Sequence, residues 1–294
     1  MKMKIEEKIK AKKDLIEREL KRIFAGYKSG LANVMKYSVF SGGKRFRPIL
    51  VLATGECFGC DNDTALPFAC AIELIHNYSL IHDDLPAMDD DDFRRGKPSC
   101  HKAYGEDSAI LAGDALLNLA FEVLAISSVG SIGLETKIEV IKEIGRSAGI
   151  SGMIGGQYQD IKITPENFKW EDYHSLVMKK TGSLISASIR TGALLGQASP
   201  GEIKTLSEYA ENLGFAFQIR DDILDSREDI RDGELFSPNE VFFHGHDGAR
   251  KELFKYVNSA VQALDKNLIK SDELRYLAIK LLEVEKHNGK QKYP

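Results

Sequence analysis

Two short runs of the chain gather carboxylates in otherwise apolar surroundings: Asp83, Asp84 and Asp89 in HDDLPAMDDDDFRRGKPSCH, and Asp221, Asp222 and Asp225 in FQIRDDILD. In the second run Asp221 and Asp225 stand four apart, so on a helix both carboxylates leave from one face, with Asp222 beside them. Phe215, Phe217, Ile219, Ile223 and Leu224 surround these acids, and burying like charges together costs roughly several kcal/mol unless a cation compensates. Hard oxygen ligands on one face suit Mg2+, which keeps waters and completes its shell with phosphate oxygens of a substrate. In the first run, Pro86 predicts a helix that ends just after Asp84. Asp89 then joins the set from a turn, because in a straight helix its spacing would carry it off the face of Asp83.

An isolated acidic run is usually a solvated surface. Here two runs repeat one form, with His82-Asp83-Asp84-Leu85 answering Arg220-Asp221-Asp222-Ile223. Two such helices face to face make a carboxylate clamp for metals that bridge a diphosphate. A diphosphate also needs cationic donors, and three basic places offer them: Lys44 and Arg47 in GGKRFRP, Arg94-Arg95, and Lys179-Lys180-Thr181-Gly182. Gly42 and Gly43 permit close backbone approach to an anion, and Arg94-Arg95 lies beside the first acid cluster. His76, seven residues before Asp83, falls nearly on the same helix face.

Helices must position these groups. Apolar residues recur at spacings of three and four, as in Leu74, Tyr78, Ile81 and Leu85, and alternating β patterns of useful length are scarce. Helix starts are predicted at Thr164-Pro165-Glu166 and at Ser199-Pro200-Gly201-Glu202, each with a capping hydroxyl and a proline at the first helical position. Segments 107–127 and 174–196, rich in Ala, Gly, Ser and Leu, suit close-packed helices around a central cavity, whereas 226–247 reads as an irregular loop. The expectation is an all-α, single-domain chain over residues 1–294, since 294 residues with 43% hydrophobic content can bury one large core. No Gly-rich nucleotide-binding or P-loop pattern occurs.

A net charge of -4 and a pI near 6.0 argue against a nucleic-acid partner. The N-terminal segment mixes Lys and Glu at helical spacing, without the apolar centre of a secretory signal, and reads as an amphipathic first helix. No membrane span is expected, and a cytoplasmic location follows. The single CxxC, Cys57 and Cys60, lacks a second ligand pair at zinc-site spacing, so the four cysteines read as reduced thiols in or near the core.

Taken in order, GGKRFRP, HDDLPAMDDDDFRRGKPSCH, GDALL, GGQYQD, KKTGSL and FQIRDDILD resemble the motifs of trans-isoprenyl diphosphate synthases of the bacterial farnesyl diphosphate synthase (geranyltranstransferase) type, over roughly residues 30 to 225. The resemblance implies a helical bundle of the isoprenoid synthase (polyprenyl synthetase) kind around a deep apolar cavity, usually homodimeric. The implied reaction joins isopentenyl diphosphate to dimethylallyl or geranyl diphosphate, giving farnesyl diphosphate with three Mg2+ ions; a longer- or shorter-chain synthase remains an alternative. By position, Asp83, Asp84, Asp89, Asp221, Asp222 and Asp225 hold or orient the metals, with Gln157 and Asp160 nearby. Arg94 and Lys180 hold the allylic diphosphate, and Lys44, Arg47, His76 and Arg95 hold isopentenyl diphosphate. Thr181 and Gln218 line the site of the developing carbocation, and Tyr78, with Ser79, blocks the growing chain.

The resemblance fails after Asp225, where such synthases continue through a lysine-bearing loop. Here the chain reads SREDIRDGELFSPNEVFFHGHDGARKEL, with no lysine until Lys251. Either Arg227, Arg231, Lys290 or Lys292 supplies the missing charge, or turnover is weakened and the chain serves as a regulatory subunit. A terpene cyclase could share the fold and first cluster, but the intact DDILD and GGKRFRP argue against it.

Overall fold

The computed structural model describes residues 2–128, 132–164, 170–225, 239–266 and 268–284. In chain order they form α1 (Lys2–Phe24), α2 (Gly30–Val39), α3 (Phe46–Cys57), α4 (Asn62–Asp83), a hairpin of β1 (Phe93–Arg94) and β2 (Lys97–Pro98), α5 (Cys100–Tyr104), α6 (Glu106–Ile126), α7 (Gly133–Ala148), α8 (Met153–Asp160), α9 (Trp170–Val177), a π-helical turn (Met178–Gly182), α10 (Ser183–Leu195), α11 (Pro200–Asp225), α12 (Glu240–Lys266) and α13 (Asp272–Lys280). The all-α expectation holds.

α4 is the central post. It starts where the Asp61 side chain accepts the N–H of Thr64 at 2.8 Å, and it is apolar nearly all round, with Phe68, Ile72, Leu74 and Ile75 fully buried. It packs against α3 and α6. α10 lies against α3 and α7, where Ala187, Ser188 and Ala193 are fully buried and let the helices approach closely. α11 packs on α10 and α12. The predicted amphipathic first helix is α1, whose Ile16, Leu20 and Phe24, spaced by four, reach the core.

The start predicted at Ser199 is present as a capping box: the Ser199 N–H donates to Glu202 Oε2 at 2.7 Å, and the Glu202 N–H returns to Ser199 Oγ at 3.4 Å. The start predicted at Thr164 falls on Pro165 and Glu166, outside the described residues. The loop expected over 226–247 needs correction at its end. Residues 240–244 are helical, capped by Asn239, whose Oδ1 accepts the N–H of Phe242 at 2.8 Å, and only Gly245, with φ 63° and ψ 170°, breaks the path into the rest of α12. Among the described residues one helix, α6, is long and apolar enough to cross a membrane, a property not expected from the sequence. It packs in the bundle through Ala109, Ala112, Leu116 and Leu124. The four thiols are free, Cys70 and Cys100 buried and Cys57 and Cys60 half-buried.

Candidate active site

A cavity of about 970 Å³ opens between the C-terminal end of α4, α6, α8, the π-helical turn and α11. On one wall α4 presents Tyr78, His82 and Asp83. As Pro86 predicted, the helix ends at Asp83, and the following turn winds back so that the Asp89 N–H donates to the Asp83 carbonyl at 2.9 Å. Burial pushes the Asp83 carboxyl up to about 7, against the pull of the Lys180 ammonium, and burial also raises Asp89. The His82 ring fits only because residue 113 is glycine: a Cβ there would lie 2.1 Å from His82 Nε2. That nitrogen stands 3.1 Å from the Ile110 carbonyl, an acceptor, so it carries the proton.

Asp84 does not join this wall. It is 2% exposed, and Arg94 Nε donates to its Oδ1 at 2.9 Å while Arg94 Nη2 bonds the same oxygen. Arg94 also reaches Asp91 Oδ2 at 2.5 Å. The β1–β2 hairpin sets this geometry, with Arg95 and Gly96 at φ 56° and 74° as the two central residues of a tight turn. The sequence reading places Asp84 among the acids that hold or orient the metals; in the structure its Oδ1 is bonded to Arg94.

On the facing wall α11 presents Phe217, Gln218, Asp221 and Asp225. Burial pushes the Asp221 carboxyl up to about 6, opposed by Arg220 and Lys44, although its side chain keeps 38% of its surface open at the cavity. Asp222, placed by the sequence reading in the same set of acids, is likewise bonded to protein donors. It is buried and accepts from Tyr173 Oη at 2.6 Å, Gln218 Nε2 at 2.8 Å and the Glu240 N–H at 2.9 Å. Burial raises its pKa while these three donors pull it down.

The third wall joins α8 to the π-helical turn. A Cβ on Gly156 would lie 2.4 Å from the Lys180 backbone nitrogen, so this glycine of GGQYQD lets the two backbones touch. The contact seats Lys180 in an ion pair with Asp160, and Thr181 beside Gln218, whose Oε1 accepts the Thr181 hydroxyl at 2.6 Å.

The basic residues divide in two. Arg94, Lys180 and Arg45 have carboxylate partners, which hold their pKa values up against burial. Arg45 is not a site residue; it is 2% exposed and bonds Glu17, Glu73 and the Val39 carbonyl. Lys44, Arg47 and Arg95 lack comparable compensation: burial pushes all three down. Among them sits His76, held well below its ordinary pKa by burial and by Arg47 and Arg95, hence neutral. Arg47 lies over the Phe217 ring at 5.5 Å, and its buried Nε has no hydrogen-bond partner among the described residues. Such a cluster is complementary to an anion.

The donor set also suits Mg2+. Among the described residues no three His, Cys, Asp or Glu side chains converge to hold an ion by themselves. Mg2+ does not require that, since it takes one or two carboxylates and completes its octahedron with water and phosphate oxygens. Asp83, Asp221 and Asp225 line the cavity, Asp89 lies close to Asp83 and Lys180, and Asp160 pairs with Lys180. Gln157 lines the same cavity with both amide atoms buried and, among the described residues, unpaired; the Tyr78 hydroxyl is likewise unpaired.

The structure thus gathers Lys44, Arg47, His76, Tyr78, Ser79, Asp83, Arg94, Arg95, Lys180, Thr181, Gln218, Asp221 and Asp225 at one cavity. Arg227, Arg231, Lys290 and Lys292 lie outside the described residues. Sequence reasoning missed Tyr173 and Glu240, which carry no local pattern, and Asp114, a cavity-lining acid 4.0 Å from His82. A Gly-Asp pair inside an apolar helix was the available sign of Asp114.

Comparison with known proteins agrees with this geometry. The polyprenyl synthetase family model matches residues 28–232. The chain is 42% identical over 225 residues to the farnesyl diphosphate synthase of Geobacillus stearothermophilus, covering 76% of each chain. It is 39% identical over 248 residues to the chloroplastic geranylgeranyl pyrophosphate synthase 9 of Arabidopsis thaliana, covering 80% of this chain and 68% of the relative. The apo crystal structure of an FPP/GFPP synthase from Zymomonas mobilis superposes with a TM-score of 0.85 at 34% identity, covering 96% of this chain and 100% of that one.

Proposed function

The chain belongs to the polyprenyl synthetase family, and from that membership we propose a prenyltransferase that condenses isopentenyl diphosphate with dimethylallyl or geranyl diphosphate to give farnesyl diphosphate. The observation that carries the reading is the pairing, in one cavity, of two anion subsites of different kind. One is a carboxylate wall with paired cations, suited to a diphosphate bound through metal; the other is an uncompensated cation cluster, suited to a diphosphate bound without it.

Lys44, Arg47 and Arg95 hold isopentenyl diphosphate, with neutral His76 beside them. Arg94 and Lys180, oriented by Asp84 and Asp160, hold the allylic diphosphate and stabilise the charge that grows on it as its carbon–oxygen bond breaks. Asp83, Asp89, Asp221 and Asp225 would hold Mg2+, three ions by family likeness, and the bound ions supply Lewis-acid stabilisation to the leaving group. Phe217, Met153 and Leu117 exclude water that would otherwise capture the allylic cation. The isopentenyl double bond then attacks that carbon, and the proton lost as the new double bond forms goes to an oxygen of the departed diphosphate.

Tyr78 stands on the cavity wall more than one helical turn before Asp83, with Ser79 beside it, and limits the product to farnesyl length. Exposed Ile110, Leu111 and Ile126 on α6 and Leu134 and Ile138 on α7 support a homodimer, and the free thiols suit a reducing cytoplasm.

Incubating the pure protein with Mg2+, isopentenyl diphosphate and geranyl diphosphate tests the reading. Farnesyl diphosphate is the expected product; a cyclised hydrocarbon would make the chain a terpene cyclase, and absence of turnover together with tight binding to an active synthase would make it a regulatory subunit. Tyr78→Ala is expected to lengthen the product, and an unchanged product from an active variant refutes the gate.

A further inference from the structure

Asp222 sits outside the cavity, yet a continuous run of hydrogen bonds joins it to groups inside. Thr181 Oγ1 donates to Gln218 Oε1 at 2.6 Å, and Gln218 Nε2 donates to Asp222 Oδ1 at 2.8 Å. Asp222 Oδ2 accepts from Tyr173 Oη at 2.6 Å and from the Glu240 N–H at 2.9 Å. A backbone N–H can only donate, so this end of the run has a fixed direction, and a carboxylate can only accept. The Gln218 amide therefore has one stable orientation, NH2 toward Asp222 and oxygen toward Thr181. Thr181 has a single hydroxyl proton, and Gln218 takes it.

We infer that Asp222 is a positioning residue: it fixes the hydrogen-bond polarity of Gln218 and Thr181 so that oxygen lone pairs, and no hydroxyl proton, face the reacting carbon. The inference rests on the reading above that an allylic cation forms beside these two cavity-lining residues. A growing positive charge is stabilised by lone pairs and opposed by an O–H proton. Tyr173 on α9 and Glu240 at the start of α12 thereby act on the reacting carbon without touching it. This separates Asp222 from Asp221 and Asp225, which line the cavity.

Asp222→Asn inverts the relay. The introduced amide oxygen still accepts from Tyr173 and Glu240, but its NH2 now faces Gln218, whose amide turns over and leaves the Thr181 proton pointing into the cavity. Expected is a fall in kcat of about 10²-fold, with unchanged KM for isopentenyl diphosphate and calorimetric affinity for Mg2+ plus pyrophosphate within about threefold. Adding Gln218→Glu restores an acceptor for both the introduced asparagine and Thr181, so the double variant should regain at least about tenfold of the lost kcat. Loss of Mg2+–pyrophosphate affinity in Asp222→Asn, or a double variant no faster than the single one, overturns the inference.

Failure of the function reading is distinguishable, because it appears in the unmodified protein as absence of chain elongation. The relay is then judged by 15N NMR of protein labelled at glutamine. A Gln218 side-chain amide shifted and slowed in exchange by its carboxylate partner, and altered in Asp222→Asn, supports it, and an amide indifferent to that change overturns it.

Discussion

Asp84 and Asp222 hold the same place in the two aspartate clusters, each behind a cavity-facing acid, and the fold secures them by different means. Asp84 is bound by Arg94, ten residues along the chain, on the hairpin that follows directly. Asp222 is bound by neutral donors, of which Tyr173 lies 49 residues away and the Glu240 N–H 18 residues away. The first cluster is thus a local device: helix end, proline turn and hairpin lie within one short segment. The second is a tertiary device, in which α9, α11 and α12 meet on one carboxylate. In both, the second aspartate is bonded to protein partners while the first lines the cavity.

The largest effects should come from what the clusters share. Asp83→Ala and Asp221→Ala are each expected to lower kcat on the order of 10³-fold, since each removes a cavity-lining carboxylate proposed to hold Mg2+. Steady-state rates across a Mg2+ titration check this, and activity within about tenfold of normal in either would remove that residue from the site.

Arg47→Ala should raise KM for isopentenyl diphosphate about 10²-fold with a much smaller change in KM for the allylic substrate, as expected for loss of a charge-assisted contact. Arg94→Ala should do the reverse. Equal effects of both variants on both substrates would abolish the division between paired and unpaired cations. Asp84→Asn, which weakens the hold on Arg94, is expected to cost about tenfold in kcat, with no added loss in an Arg94→Ala background; full additivity would show that Asp84 acts elsewhere.

The smallest effect concerns stability. Burial raises the carboxyls of Asp83 to about 7, Asp221 to about 6 and Glu240 to about 7. Between the ordinary carboxylate range and these values the folded chain binds more protons than the unfolded one, so stability falls as pH rises through that window. Metal-free protein should lose a few degrees of Tm between about pH 5 and 7.5, and Mg2+ with pyrophosphate should reverse the slope. A flat Tm in the metal-free protein would contradict the burial of these acids.

Much of the first cluster was legible in the sequence because its causes are local. Pro86 predicts the end of α4, and the end of α4 places the turn that carries Asp89. The capping box at Ser199 was legible for the same reason. Asn239, an equally local cap, was missed because the segment around it, rich in polar residues and glycine, reads as a loop throughout. Arg45 could not be told from Lys44 and Arg47 by type, since only the fold sends one of three neighbouring cations into an ion-paired place in the core.

By itself the sequence determined which residues are present to do chemistry: two sets of acids on apolar helices, three separate basic places, and an aromatic residue before the first acids. Helical spacing and proline act over a few residues, so these patterns survive without a structure. Which acid of each pair faces the cavity, and which cations remain uncompensated, was decided only by the tertiary structure. Those outcomes depend on partners such as Tyr173, Glu73 and Glu240 that packing brings together from distant places in the chain. Burial then makes each pairing, or its absence, electrostatically decisive.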